Sequence, residues 1–325
     1  MEKKTVLVTG TGGNVGQGVL RNILSLGLDL RIVGTDVSAF TAGNHLCDAT
    51  HVVPYSYDAA YIPAMAKIID DEKVDLVIPT TDYEIYYLSR HQSQLNAVVA
   101  ASDADISQKY LDKYLTFLHH QSLGIPFAQS WLPKDYNGSQ QNIILKPREG
   151  RGSRGILINP ANPTQFGDDC MIQPLHQGRE ITTAFYVRKD GSLHGLLTME
   201  RELSNGATSK SKVIREFDGA LEKIIQKMIA HGGLKGSLNL QSIVDSENNI
   251  IPFEVNCRIS GTNSIRHNLG FQDVKYTLQE YLLGQQPDAV HTIDGIAIRL
   301  LYDVIYPNAT DETQLNNNQH GHLVY

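Results

Sequence analysis

Residues Phe253-Glu254-Val255-Asn256-Cys257-Arg258-Ile259 alternate apolar and polar side chains without a break. Successive side chains of a strand point to opposite faces. Phe253, Val255, Cys257 and Ile259 are therefore expected on one face, and Glu254, Asn256 and Arg258 on the other. Upstream, Ser237-Leu238-Asn239-Leu240-Gln241 repeats the pattern, with Asn239 and Gln241 set against Leu238 and Leu240. The two runs are joined through Asp245-Ser246-Glu247-Asn248-Asn249, a cluster of turn-forming residues. With the loop at 246–249, Asp245 faces Ile250, Gln241 falls opposite Glu254 and Asn239 opposite Asn256. The product is a patch of oxygen donors with an arginine beside it. Magnesium takes hard oxygen ligands, usually one or two from protein, and completes its octahedron with phosphate and water. A solvated polar hairpin face would show the same alternation, so the patch has to be judged with its surroundings.

A second run, Ile144-Leu145-Lys146-Pro147-Arg148-Glu149-Gly150-Arg151-Gly152-Ser153-Arg154-Gly155, delivers a lysine on a strand and then a basic glycine-rich turn. Glycines let backbone N–H groups converge into an anion-binding nest, and the cations add charge. Lys146 at the strand end suits a phosphate as a compact point charge. The alternative is a solvated basic hairpin loop. Three arginines and three glycines within the eight residues after Lys146-Pro147 weigh against it.

Outward from these runs the texture changes twice. The first hundred residues alternate buried-type strands (5–9, 31–36, 76–79, 97–101, and a weaker one at 51–54) with helical patterns. Val15, Val19, Ile23 and Leu24 fall at helical spacing before Gly27, and a second helix is expected over 61–70. Apolar strands alternating with helices imply a parallel sheet covered on both faces, a Rossmann-like domain. Its turn Gly10-Thr11-Gly12-Gly13-Asn14-Val15-Gly16, with Asp36 ending the second strand, is placed as in dinucleotide-binding domains. The plainer account is that the glycines serve a tight turn and close helix–sheet packing, and the two runs downstream favour it. After a boundary at 102–106, Ser107 reads as the N-cap of one helix bearing Tyr110, Leu111, Tyr114, Leu115 and Leu118, ended by Gly124-Ile125-Pro126. Strand–turn–strand texture follows, with strands at 143–146, 155–158, 170–173 and 181–188 and helices at 221–230 and 274–283, an α+β pattern.

At 325 residues the chain has room for two or three units. A net charge of -7 gives no electrostatic reason to bind nucleic acid or an anionic membrane surface. Cys47, Cys170 and Cys257 show no metal spacing and no disulfide framework. The apolar run after Met1-Glu2-Lys3-Lys4 is short for a secretory signal. No stretch approaches the roughly 20 apolar residues of a membrane span. The expectation is a cytoplasmic protein with small-molecule partners and no membrane or nucleic-acid partner; a homo-oligomer is compatible with the sequence.

Taken in order, these features resemble the ATP-grasp superfamily, and within it the carbamoyl-phosphate-synthase large-chain-like proteins, over almost the whole chain. The resemblance implies an α/β plus α+β architecture. A Rossmann-like pre-ATP-grasp domain (1–105) would precede a small nucleotide-binding subdomain (106–175) and a large subdomain with the metal site (176–325). It implies that Lys113 and Lys146 reach the nucleotide phosphates and that the turn at 150–155, with Arg151, Gly152 and Ser153, closes over them. Gln173, Pro174 and Leu175 correspond to the hinge beside adenine, and Glu180 to the acid that meets the ribose. Gln241, Glu254 and Asn256 correspond to the magnesium ligands, with Mn²⁺ an admissible substitute, and Arg258 to the arginine that steadies the transferred phosphoryl group. Lys210 and Arg201 have weaker claims to the γ-phosphate.

The sequence departs from the family pattern in three ways. Cys257 stands where a proline is usual, Gln241 is neutral where many members carry an acid, and only one ATP-grasp unit is present. The implied activity is that of an ATP- and Mg²⁺-dependent carboxylate–amine ligase working through an acyl phosphate. The rivals are an NAD(P)-dependent oxidoreductase using the Gly10–Gly16 turn and a non-catalytic ATP sensor.

Overall fold

The computed structural model describes residues 3–150, 152 and 154–325. Its first layer is a parallel sheet in the order β3-β2-β1-β4-β5. The strands are β1 (Lys4–Thr9), β2 (Leu30–Asp36), β3 (Ala49–Val52), β4 (Leu76–Ile78) and β5 (Val98–Val99). Their side chains divide between two covers, which is why the strands read as unbroken apolar runs. Leu7, Val33 and Val77 pack with helix α2 (Tyr61–Asp71), and Val6, Val8 and Ile32 with helix α1 (Asn14–Ser25). Close packing of α1 depends on glycine. A Cβ at Gly16 would lie 2.3 Å from the Gly10 carbonyl oxygen, and one at Gly18 would lie 2.3 Å from Asn263 Oδ1. The sequence reading did not anticipate α3 (Asp82–Arg90). Its signal is the capping box Thr81-Asp82-Tyr83-Glu84, in which Thr81 Oγ1 accepts from Glu84 N while the Glu84 carboxylate accepts from Thr81 N.

The single helix expected after residue 107 is two helices, α4 (Ala104–Leu111) and α5 (Lys113–Ser122). Ser107 lies inside α4 and donates to the Ser102 carbonyl at 3.2 Å; the N-cap position belongs to Asp103. Asp112 makes the break. Its backbone leaves the helical region so that its carboxylate can accept from Tyr114 N at 2.8 Å and Leu115 N at 3.1 Å, a competition that Asp side chains often win. The apolar stripe is reset as a result: Thr116, Phe117 and His120 are buried and Leu118 is exposed.

Two antiparallel sheets follow. The smaller, in the order β7-β6-β8, comprises β6 (Ile143–Pro147), β7 (Leu157–Ile158) and β8 (Cys170–Pro174). The larger, in the order β13-β12-β9-β10-β11-β14, comprises β9 (Arg179–Val187), β10 (Leu193–Ser204), β11 (Ala207–Val213), β12 (Gly236–Val244), β13 (Ile250–Asn256) and β14 (Ile296–Ile298). Helix α6 (Asp218–Ile229) lies on it through Leu221, Ile225 and Met228. Ile106 and Tyr110 of α4 join that same core, so the segment 106–175 contributes to two cores. Helices α7 (Asn263–Asn268) and α8 (Asp273–Thr277) connect the large sheet to α1, and α8 runs on into a π-helical turn at Leu278–Leu282. The chain then returns over the first domain, where Asn44 Nδ2 donates to the Leu315 carbonyl at 2.8 Å. It ends in a ribbon of β15 (Val304–Ile305) and β16 (Leu323–Val324). Among the described residues no helix is long and apolar enough to cross a membrane.

Besides capping α5, the Asp112 carboxylate holds the Arg148 guanidinium, and Lys113 N donates to the Arg148 carbonyl at 2.9 Å. One residue thus sets the start of α5 against the end of β6. Asp112→Ala should lower unfolding free energy by about 2–4 kcal/mol, from a lost cap and a half-buried guanidinium left unpaired. Asp112→Asn keeps the cap and should recover roughly 1 kcal/mol of that loss. Denaturant titration of the two variants measures the difference.

Candidate active site

The hairpin of β12 and β13 pairs Asn239 with Asn256, Leu240 with Val255 and Gln241 with Glu254. Nearer the turn the register shifts by one, so Ser242 faces Pro252 and Val244 faces Ile250. Asp245 therefore does not face Ile250. Its carboxylate folds the loop instead, accepting from Glu247 N and Asn249 N, both at 2.9 Å. A bulge at Phe253 restores the register and takes Phe253 off the apolar face. Its ring lines the cleft with Lys146 Nζ 5.3 Å from the centroid, while Val255 and Cys257 stay in the core.

The polar face of the hairpin floors a cleft of about 1290 Å³ between the small sheet, the large sheet and the first domain. Among the described residues five lysines and arginines line it, Arg154 of the glycine-rich turn and four others. Lys113 Nζ lies 4.0 Å from Glu254 Oε1 and donates to the Gly150 carbonyl at 3.1 Å. Lys146 is buried beside it. Arg258 Nε donates to Asp82 Oδ2 at 2.9 Å, so an arginine just beyond β13 rests on the start of α3. Arg201 donates to Glu180 at 2.9 Å and also to Gln241 Oε1. From there the chain runs on: Gln241 Nε2 donates to Asn256 Oδ1 and Asn256 Nδ2 to Glu254 Oε1, each at 3.0 Å. Asn239 Nδ2 is buried with no partner among the described residues.

Burial lowers the Lys146 ammonium to about 8, partly opposed by Glu254 and reinforced by Lys113. Burial pushes the Glu254 carboxyl up, but Lys113, Lys146, Asn256 and Arg258 outweigh it and hold the group below its ordinary value. Glu254 is thus an anion, and the cations beside it exceed it in number.

The glycine-rich turn is occupied differently. Gly12 N donates to Asp36 Oδ2 at 2.8 Å and Ser38 N to Asp36 Oδ1 at 3.2 Å, while Gly13 N donates to the Gly10 carbonyl at 3.1 Å. The acid that would hold a ribose is engaged with the turn itself, and the glycines are accounted for by packing.

Among the described residues no three His, Cys, Asp or Glu side chains gather as a metal cluster. The hairpin offers one carboxylate, Glu254, with amide oxygens beside it. That donor set fits a magnesium ion completed by phosphate and water, and not a cation caged by protein alone.

The PylC-like N-terminal domain model matches residues 7–100. No curated protein matches the sequence. Solved structures match along nearly the whole chain. N5-carboxyaminoimidazole synthetase from Staphylococcus aureus, complexed with ADP, is 14% identical with a TM-score of 0.74, over 92% of this chain and 82% of that one. The biotin carboxylase domain of Hydrogenobacter thermophilus 2-oxoglutarate carboxylase, with MgADP and bicarbonate, is 15% identical with a TM-score of 0.70, over 97% and 76%. L-amino acid ligase from Bacillus licheniformis is 15% identical with a TM-score of 0.69, over 87% and 75%. The chain has the ATP-grasp fold.

Within that fold, Lys113, Lys146, Gly152, Gln173, Pro174, Leu175, Glu180, Arg201, Gln241, Glu254, Asn256 and Arg258 all line the one cleft. Gln173 Nε2 donates to Ser130 Oγ at 2.9 Å and Leu175 N to the Asn142 carbonyl at 2.9 Å, which fixes the segment after β8. Gly206 abuts Gly152: a Cβ there would lie 2.4 Å from the Gly152 carbonyl oxygen. Lys210 lies apart, exposed on β11 and paired with Glu202 at 3.2 Å. Arg151 and Ser153 fall outside the described residues. Sequence reasoning missed Phe253, because a bulge is invisible to strict alternation. It also missed Asp82, although the capping box marks the helix that carries it.

The lowered Lys146 pKa has a measurable consequence. A phosphate placed beside Lys146 favours the ammonium, so nucleotide should bind with unchanged affinity below pH 8. Above pH 8 affinity should weaken by up to tenfold per unit, with uptake of a proton on binding. Calorimetric titration of MgADP at pH 7 and pH 9 in buffers of different ionisation enthalpy reads that proton directly. Lys146→Met should abolish the uptake and weaken binding at both values.

Proposed function

We propose that the chain is an ATP- and magnesium-dependent ligase that activates a carboxylate as an acyl phosphate and passes it to an amine. One observation carries this reading: Lys113, Lys146 and Arg258 converge on the single carboxylate Glu254 at the floor of the cleft. So many cations around one acid suit a polyphosphate. ADP in the Staphylococcus neighbour, and MgADP with bicarbonate in the Hydrogenobacter one, agree with that chemistry.

In this reading the carboxylate oxygen attacks the γ-phosphorus of ATP and ADP departs. The amine then adds to the acyl carbon, inorganic phosphate leaves, and the amine proton is lost to solvent. Glu254 and Asn256 would hold the magnesium ion, which neutralises phosphate charge when bound. The chain's own part is positioning and charge: Lys113 and Lys146 hold the phosphates, and Arg258, steered by Asp82, lies toward the first domain where a second substrate enters.

Millimolar MgADP should raise the melting temperature and NADH should not, since a ligand stabilises the fold by RT ln(1 + [L]/Kd). With ATP, magnesium and a cognate carboxylate, hydroxylamine in place of the amine should yield a hydroxamate together with ADP and phosphate. Glu254→Gln keeps the side chain's shape and should lower that rate by about 10²-fold or more. Release of AMP and pyrophosphate would overturn the acyl-phosphate route. A stabilising shift from NADH with none from MgADP would return the glycine turn to a dinucleotide.

A further inference from the structure

The proposed ligase reading leaves half of the cleft without an occupant, and that half has a distinct character. Its wall from the first domain comprises residues of the segments 10–15, 36–42, 53–57 and 80–84. Among these described lining residues there is no lysine or arginine, and the acids are Asp36, Asp82 and Glu84. The turn before α1 adds no cation and has an acid beside it. The amides of Gly12 and Gly13 are already donated, and the Asp36 carboxylate stands against the turn. Glu84 is buried and accepts from Thr9 Oγ1 at 2.7 Å and Thr81 Oγ1 at 2.9 Å, so it serves the fold.

Aromatic rings dominate what remains. Tyr55 and Tyr57 stack at 5.3 Å with an interplanar angle of 4°, and Tyr57 meets Tyr83 edge-on at 6.3 Å. Tyr57 is 61% exposed and Tyr55 49%, unusual for large rings lining a cleft. Tyr83 adjoins Asp82, Asp82 holds Arg258, and Arg258 lies two residues beyond Asn256 on the metal-site strand. The rings therefore lead, through one ion pair, to the place where γ-phosphate and carboxylate would meet.

We infer that the carboxylate substrate is an unphosphorylated aromatic monocarboxylic acid, aromatic amino acids included, whose ring lies against Tyr57 and whose carboxylate points to Arg258. A flat π-system gains most from exposed stacked tyrosines. A second anionic group would meet Asp36 on a wall whose own segments carry no lysine or arginine, at a desolvation cost that they do not offset. An ammonium group is tolerated by the same acids. The inference rests on the ligase reading for the direction of the carboxylate, whereas the ring's preference can be measured without turnover.

The test is calorimetric titration of L-phenylalanine, L-cyclohexylalanine and O-phospho-L-tyrosine into MgADP-loaded protein, with L-tryptophan and 4-hydroxybenzoate widening the aromatic set. At least one unphosphorylated aromatic acid should bind, with L-phenylalanine exceeding L-cyclohexylalanine and O-phospho-L-tyrosine failing. Tyr57→Ala should weaken that binding about tenfold, the equivalent of ~1.4 kcal/mol, while Tyr57→Phe, which keeps the ring, retains it. MgADP affinity should be the same in both variants, showing that the fold and the nucleotide half are intact. Binding of the phosphorylated acid, failure of every aromatic member, or indifference to Tyr57→Ala would each overturn the inference. The ligase reading fails on a separate result: an acid that binds beside MgADP yet supports no ADP release from ATP.

Discussion

Lys113, Lys146 and Arg258 stand around one carboxylate, Glu254, and most of the architecture can be understood as the means of keeping them there. Cations held close together and partly out of water are costly unless something offsets them. Each is anchored by a different part of the molecule. Lys113 is set at the start of α5 by the Asp112 cap, Lys146 by β6 with the Phe253 ring beneath it, and Arg258 by Asp82 at the start of α3. No one sheet could supply all three directions. Burial, reinforced by Lys113, lowers the Lys146 pKa in the free protein, as expected of a cation short of counter-charge.

The same constraint ties the first domain to the rest. Asp82 contributes a partner for Arg258, and Gly18 lets α1 approach Asn263, to which Asn22 donates through Nδ2 at 3.1 Å. The last residues return across the first domain, where Leu315 is buried and its carbonyl takes a hydrogen bond from Asn44. The parallel sheet is held on two sides and cannot reposition its half of the cleft without breaking buried contacts.

Much of this was legible in the residues. Alternation in 253–259 and 237–241 placed Gln241 opposite Glu254, because side-chain period in a strand is fixed by geometry. Lys146 was legible from the basic, glycine-rich turn that follows its strand. What escaped was set by single side chains competing with the regular pattern. Asp112 breaks a helix whose apolar spacing runs straight through it, and a bulge turns Phe253 toward Lys146 while its neighbours keep their faces. Lys210 has the composition of a phosphate ligand, but its position on β11 gives it to Glu202 and solvent. Composition names candidates; the register decides among them.

The neutral side chain at 241 fits its surroundings. Arg201 already has Glu180 as a carboxylate partner, so together they carry no net charge. An acid at 241 would leave a surplus negative charge beside them and call for a further cation. Gln241 avoids that surplus, giving its oxygen to Arg201 and its N–H to Asn256. Asn256 in turn donates to Glu254, so three neutral or balanced groups fix the orientation of one charged one. Orientation is set here as well as charge, because the Glu254 oxygen that faces Lys113 is the one that Asn256 holds. The Gln241–Asn256 amide pair is thus the element that steadies the one carboxylate of the hairpin face.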